Sequence, residues 1–332
     1  VNICLTLDYE LYFGRQTGTA ERCLLYPSNR FLDICDALHI RCTWFIDCGY
    51  LDKLNQLSAD YPELKEEQRA VHAQIQRMVQ SGHDCQLHIH PHWEDSGYNG
   101  SEWVMNTQRY KLSDFTTEEA AEIIFRYASA LESVTGKPVS AYRAGGWCVQ
   151  PFSQVRDAFM KKGIRIDSSV YKNGFYSSGH YKYDFRKAPN KTRWQFQEDE
   201  CVETENGFFT EIPISSVLLS PFFFWRLFLL GRLFPARHKP IGNGFPIPSP
   251  GKRRSYLTKW NEHPLFFEGY FVESLPGAVR AYISQNTGNE LVALAHPKAF
   301  TEYSLDRLPD ILGKLKKEHV FCTLSELQTD EH

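Results

Sequence analysis

Two acidic residues close a short apolar run near the start of the chain, Asp8 and Glu10 in LTLDYE. Three histidines alternate in LHIHPHW as His88, His90 and His92. Arg143 ends the run VSAYR, Asp167 ends IRID and His296 ends LVALAH. Residues two apart on an extended strand point to the same side, so the acids form one carboxylate pair and the histidines one row of imidazoles. Pro91 argues against a helical i, i+4 histidine pair, because proline breaks a helix interior. Two imidazoles and a carboxylate suit zinc or a similar divalent ion with a position left open for water, which is a hydrolytic rather than a structural arrangement. One carboxylate would then hold the ion while the other takes a proton from water. Each group also has a plainer reading. The acids could be solvated loop carboxylates, the histidines satisfied core residues, and Arg143 a structural ion pair as readily as the guanidinium that orients the base.

These groups can meet only if the runs that carry them lie side by side. NICLTL (2–7), CTWFID (42–47), CQLHI (85–89), VSAYR (139–143), IRID (164–167), LVALAH (291–296) and HVFCTL (319–324) have strand character. Between them, helical spacing marks 28–40, 64–82, 151–162 and about 304–317, and Thr116 with Glu119 forms a capping box for a helix ending at Gly136. Alternation of this kind predicts a parallel sheet, open or closed into a barrel. In such a sheet the C-terminal strand ends share one face, and each residue singled out above lies at such an end. The stretch 170–290 is irregular, with hairpin-like strands expected at 194–203 and 207–214. No repeat or linker interrupts the chain, so 1–332 is expected to be a single domain with an irregular insertion at 170–290.

In order, these motifs resemble those of the polysaccharide deacetylases, the NodB-homology or carbohydrate esterase family 4 fold. LTLDYE is similar to the family's T-F-D-D motif and GHDCQLHIHPH to its G-H-E-x-x-x-H-[ST]-x-x-H motif. YRAGGW resembles the Arg motif, IDSSV the Asp motif and LAH the terminal L-x-H. The resemblance implies an α/β fold, a distorted (β/α)7-type barrel, and a metal-dependent hydrolase that removes acetyl from an N-acetylated sugar. It implies Asp8 as catalytic base, His88 and His92 as metal ligands, and His296 as the acid that protonates the leaving amine. Arg143 would orient Asp8, and Asp167 would tune His296. Backbone N–H groups near Gly146 and Trp147 would stabilise the oxyanion. The chain departs from the family in its first motif, where Asp-Asp has become Asp8-Tyr9-Glu10. Glu10 is therefore the expected carboxylate ligand, and His90 is expected behind the ligands or facing substrate, although strand geometry alone would admit it as a ligand. Trp93, Trp103 and Trp147 are either sugar-stacking platforms or core. Two other readings stay open: a different amidohydrolase on the same fold, and a carbohydrate-binding relative without catalysis.

With 42% hydrophobic residues in 332, the chain can bury a large core, which excludes wholesale disorder. A net charge of −3 provides no general footprint for nucleic acid. Nine scattered cysteines without a C-x-x-C pair read as small core residues in a reducing compartment, so a cytoplasmic location is expected. One stretch stands apart: VLLSPFFFWRLFLLGRLFP at 217–235. Pro221, Arg226, Gly231 and Arg232 argue against a spanning helix. Basic residues follow at Arg237, His238, Lys239, Lys252, Arg253 and Arg254. The segment is either an interfacial element that docks on a membrane, reaching a lipid-linked saccharide, or a buried loop or oligomer interface. The oligomeric state is not legible.

Overall fold

The computed structural model describes residues 1–179, 181–248, 252–285 and 288–329. Nine strands join into one sheet. From edge to edge its main path runs Trp194–Phe196, Phe209–Glu211, Ile166–Asp167, Ala141–Ala144, Asp84–Ile89, Thr43–Asp47, Asn2–Tyr9 and Glu290–Ala295. The short strand Val320–Phe321 pairs with the beginning of Asn2–Tyr9. Every ladder is parallel except that between Trp194–Phe196 and Phe209–Glu211. Asn2–Tyr9 is buried from Ile3 to Tyr9, as a parallel strand covered on both faces must be.

Segments outside the sheet strands bridge to the Glu290–Ala295 edge without a ladder. Ser215 N–H donates to the Val292 carbonyl at 2.9 Å, and Leu265 N–H to the Ser215 carbonyl at 2.7 Å. An isolated parallel bridge joins Phe266 to Leu294. The curled sheet is thus the distorted barrel that the motif order implied. The irregular stretch 170–290 supplies two strands to that wall, Trp194–Phe196 and Phe209–Glu211, both shorter than expected.

Helices Tyr26–Leu38, Pro62–Gln80, Thr117–Thr135 and Glu302–Leu315 lie near the expected places. The predicted capping box is present: Glu119 N–H donates to Thr116 Oγ1 at 3.2 Å, and Thr116 N–H to Glu119 Oε2 at 2.8 Å. Helix Cys48–Leu57 was not anticipated. It starts directly from a strand because Asp47 Oδ1 accepts the Gly49 N–H and caps it.

The segment 217–235 is no buried loop. Leu218 and Leu219 end the small strand Ser216–Leu219, and Pro221–Leu233 is a helix capped by Ser220. Phe224 is its only buried residue. The helix lies outside the barrel wall, with the Phe224 ring stacked on Tyr256 at 4.5 Å. Among the described residues, no helix is long and apolar enough to cross a membrane. All nine cysteines are free and buried.

Candidate active site

Asp8 stands near the end of strand Asn2–Tyr9 with each oxygen in a different setting. Oδ1 accepts from Arg143 Nη1 at 2.8 Å. Oδ2 faces His88 Nε2 at 4.0 Å and His296 Nε2 at 3.8 Å. Arg143 is fully buried and also donates to Thr6 Oγ1, to the Ser168 carbonyl and to Ser168 Oγ. Its guanidinium lies 4.2 Å from the Phe45 ring centre. The structural and orienting readings of Arg143 therefore coincide, since the network that satisfies it also fixes Asp8.

Glu10, His88 and His90 converge on one point, each buried, with one donor atom apiece inside a 4.8 Å group. His88 Nε2 lies 3.1 Å from Glu10 Oε2 and 3.1 Å from His90 Nε2, and His90 Nε2 also contacts Glu10 Oε2. A backbone carbonyl only accepts, so the contact of His88 Nδ1 with the Arg143 carbonyl at 2.8 Å puts the ring proton there. That leaves the Nε2 lone pair facing the group. Three electron-rich atoms so close repel unless a proton or a cation lies among them. Ligands about 2.0–2.1 Å from a tetrahedral zinc stand roughly 3.3 Å apart, close to the two 3.1 Å separations at His88 Nε2. Burial alone would raise the Glu10 carboxyl, but Lys298 and the two imidazoles outweigh it and hold it well below the ordinary range.

His92 does not join this group, although the family's motif implied it as a ligand. The period-two rule holds only while the strand lasts, and the strand ends at Ile89. Pro91 then opens the 3-10 turn Pro91–Asp95 and swings His92 away. Its ring stacks at 5.3 Å on Tyr110, and neither ring nitrogen has a hydrogen-bond partner. Burial, then His90, drive its pKa well below the ordinary value, so the ring is neutral. His90, expected behind the ligands or facing substrate, takes the place beside His88.

His296 also has a different partner from the one expected. Its Nδ1 lies 3.2 and 3.1 Å from the two oxygens of Glu268, which also accepts the His296 backbone N–H. Burial would lower the imidazole, but Glu268, with Asp8 and Glu10, pushes it up to about 9. Asp167 is occupied elsewhere: Ser169 Oγ donates to it at 2.7 Å, and it is in register with Glu211. Burial raises both carboxyls, which lets one share a proton with the other. Two site residues escaped the sequence reading, Glu268 and Lys298. Lys298 Nζ donates to Glu10 Oε1 at 2.8 Å and to the Leu11 carbonyl at 2.6 Å. Its signal was available, because it follows His296 at the same two-residue spacing that links Asp8 to Glu10. Glu268 had none, lying in the aperiodic stretch.

These groups open into a cavity of about 630 Å³ lined by Glu10, Lys298, His296, Glu268 and a wall of aromatic rings. Tyr110, Trp147 and Tyr181 stand in that wall. Gly146 (φ 57°) and Trp147 (φ 62°) both adopt the left-handed region in the turn after Ala141–Ala144. A β-carbon on Gly146 would stand 2.3 Å from the Tyr181 ring, so only glycine fits. Trp93 and Trp103 are core: both are buried, and Trp93 Nε1 donates to Asp47 Oδ2 at 2.7 Å.

No protein-family model matches the sequence, and no curated protein does. Among solved structures, a Mycobacterium smegmatis protein provisionally named a polysaccharide deacetylase aligns over 98% of this chain and 88% of its own. The identity is 14% and the TM-score 0.50. A family 4 acetyl xylan esterase from Clostridium thermocellum, solved with a cobalt ion, covers 99% of this chain and 91% of its own, at 12% identity and a TM-score of 0.40. A CE4 family pseudoenzyme from Bacillus anthracis covers 98% of this chain and 64% of its own, at 10% identity and a TM-score of 0.41. The first alignment establishes that this chain has the polysaccharide deacetylase fold. At such identity the likeness conveys the fold, and the chemistry must be argued from the site.

Proposed function

We propose that the chain is a metal-dependent hydrolase that removes acetyl from an N-acetylated sugar. The observation that carries this reading is the placement of Asp8. One of its oxygens is fixed by Arg143, and the other faces His296 beside the Glu10–His88–His90 group. Glu10 Oε2, His88 Nε2 and His90 Nε2 would hold the ion, and zinc is the first candidate because these donors are its ordinary catalytic set. When bound, such an ion acidifies water and polarises the acyl carbonyl. Asp8 Oδ2 takes the proton from the attacking water, whose oxygen adds to the acetyl carbon. N–H groups of the Gly146–Trp147 turn, next to the cavity wall that Trp147 lines, are the donors assigned to the developing oxyanion. The C–N bond then breaks, His296 Nε2 donates its proton to the departing nitrogen, and acetate and an amino sugar leave. Glu268 supports the charge on His296 before that transfer. The rings of Tyr110, Trp147 and Tyr181 suit the apolar faces of a sugar. Nine buried free thiols support a reducing, cytoplasmic setting for the whole domain.

Acetate release from N-acetylated chitin and peptidoglycan fragments, with metal content measured on the same sample, tests the reading. The expected result is release that chelation abolishes and added zinc restores. A chain that binds no divalent ion overturns the proposal. So does a metal-loaded chain that releases no acetate, which would leave the carbohydrate-binding reading.

A further inference from the structure

We propose that the helix Pro221–Leu233 and the basic residues around it dock the chain on an anionic lipid bilayer. Phe222, Trp225, Leu229 and Leu233 recur at steps of three and four and so share one helix face. Their side chains are 69%, 57%, 55% and 58% exposed. Leu218, Phe234 and Trp260 extend the apolar surface at either end, each also more than half exposed. An unpartnered apolar surface of this kind marks an interaction site.

Charge selects the occupant. No acidic residue stands between Glu211 and Glu262, although the chain as a whole carries −3. Arg226, Arg232, Arg254 and Lys259 are exposed within that stretch. The side chains of Lys252 and Arg253 lie outside the described residues. A cationic rim around aromatic and aliphatic side chains complements anionic headgroups over acyl chains. A second copy of the chain fits less well, because a two-fold contact would set this cationic face against itself. Thirteen helical residues are too few to span a bilayer, so the helix would lie in the interface plane.

The buried side of the helix adjoins the cavity wall. Phe224 stacks on Tyr256, which lines the cavity with His296, and Trp225 Nε1 donates to the Leu257 carbonyl at 3.1 Å. Docking would hold the cavity close to the bilayer, within reach of a saccharide carried on a lipid. That last consequence rests on the deacetylase reading, whereas the docking itself does not.

Flotation of the full chain with phosphatidylcholine vesicles, with and without phosphatidylglycerol, tests the docking. Binding is expected only with phosphatidylglycerol, and salt should weaken it. Arg226→Gln with Arg232→Gln should weaken it on the order of 25-fold, from roughly fivefold per basic residue. Trp225→Ser with Leu229→Ser should abolish it while the circular dichroism melt moves by no more than a few degrees, since both side chains are more than half exposed and only the Trp225–Leu257 hydrogen bond is lost. Absence of binding, equal binding to neutral vesicles, or binding indifferent to both double substitutions overturns the proposal. So does self-association that Trp225→Ser with Leu229→Ser disrupts in place of vesicle binding. Because no activity is read, failure here is separable from failure of the deacetylase reading.

Discussion

Asp8 and Glu10 illustrate how two like side chains acquire different work from their neighbours. Arg143 holds one oxygen of Asp8, while Lys298 and two imidazoles surround Glu10. Asp8→Asn should cut acetate release roughly 10²–10⁴-fold with the ion retained, the range for a lost general base; Glu10→Gln should lose the ion. Zinc titration calorimetry on His90→Ala and His92→Ala should show a large loss of affinity for the first and little for the second. Equal losses would return His92 to the ligand set. The reason the sequence misleads here is local. Spacing treats His88, His90 and His92 alike, but the strand stops one residue before His90 and Pro91 redirects the chain. Glu268 supplies a further prediction. His296 is protonated below about 9, so activity that needs it as an acid falls as pH rises through that value. Glu268→Gln removes the largest favourable charge and should move this basic limb to lower pH in a kcat profile. A bound cation would shift the limb in both proteins, so the comparison is between them.

Among the elements, the sheet strands with long apolar runs were legible, because burial on both faces writes itself into composition. Helix Cys48–Leu57 was not. Its capping residue, Asp47, is a strand-end carboxylate of the same kind as the site candidates, yet its side chain holds the Gly49 N–H and Trp93 Nε1. Asp167 misled in the same way. Both are carboxylates at the correct end of the sheet, and only tertiary partners separate positioning groups from chemical ones. The strands carrying Asp167 and Glu211 lie near Glu200, a buried acid that burial pushes up to about 8. The folded state thus keeps a proton that the unfolded chain gives up near 4.5, the unperturbed value. Since the folded state binds more protons, this group makes stability fall as pH climbs from about 4.5 to 8. Thermal melts of Glu200→Gln should match the parent near the low end of that window and exceed it at the high end. Parallel melts across the window would show that Glu200 is ionised in the fold.

On the scale of the whole molecule, the site is assembled from distant parts of the chain. Asp8 and Glu10 come from one end, His88 and Arg143 from the middle, and His296 and Lys298 from near the other. The order of motifs made that convergence legible, while the exposed helix Pro221–Leu233 was not legible as such. An apolar segment reads alike whether it is buried or bare, and only its surroundings decide. An ion bound to the folded chain alone stabilises it by about 2.7 kcal/mol at a hundredfold excess over Kd. Calorimetric scans with and without zinc should therefore differ by a few degrees, and Glu10→Gln should abolish the difference. The pairing of Asn2–Tyr9 with Glu290–Ala295 has a consequence for biosynthesis. Strand Asn2–Tyr9 is synthesised long before Glu290–Ala295, so its second edge stays uncovered until that partner emerges. Until then the nascent chain carries an apolar, unpaired edge and no assembled site, so it depends on protection from aggregation while everything between the two strands is made.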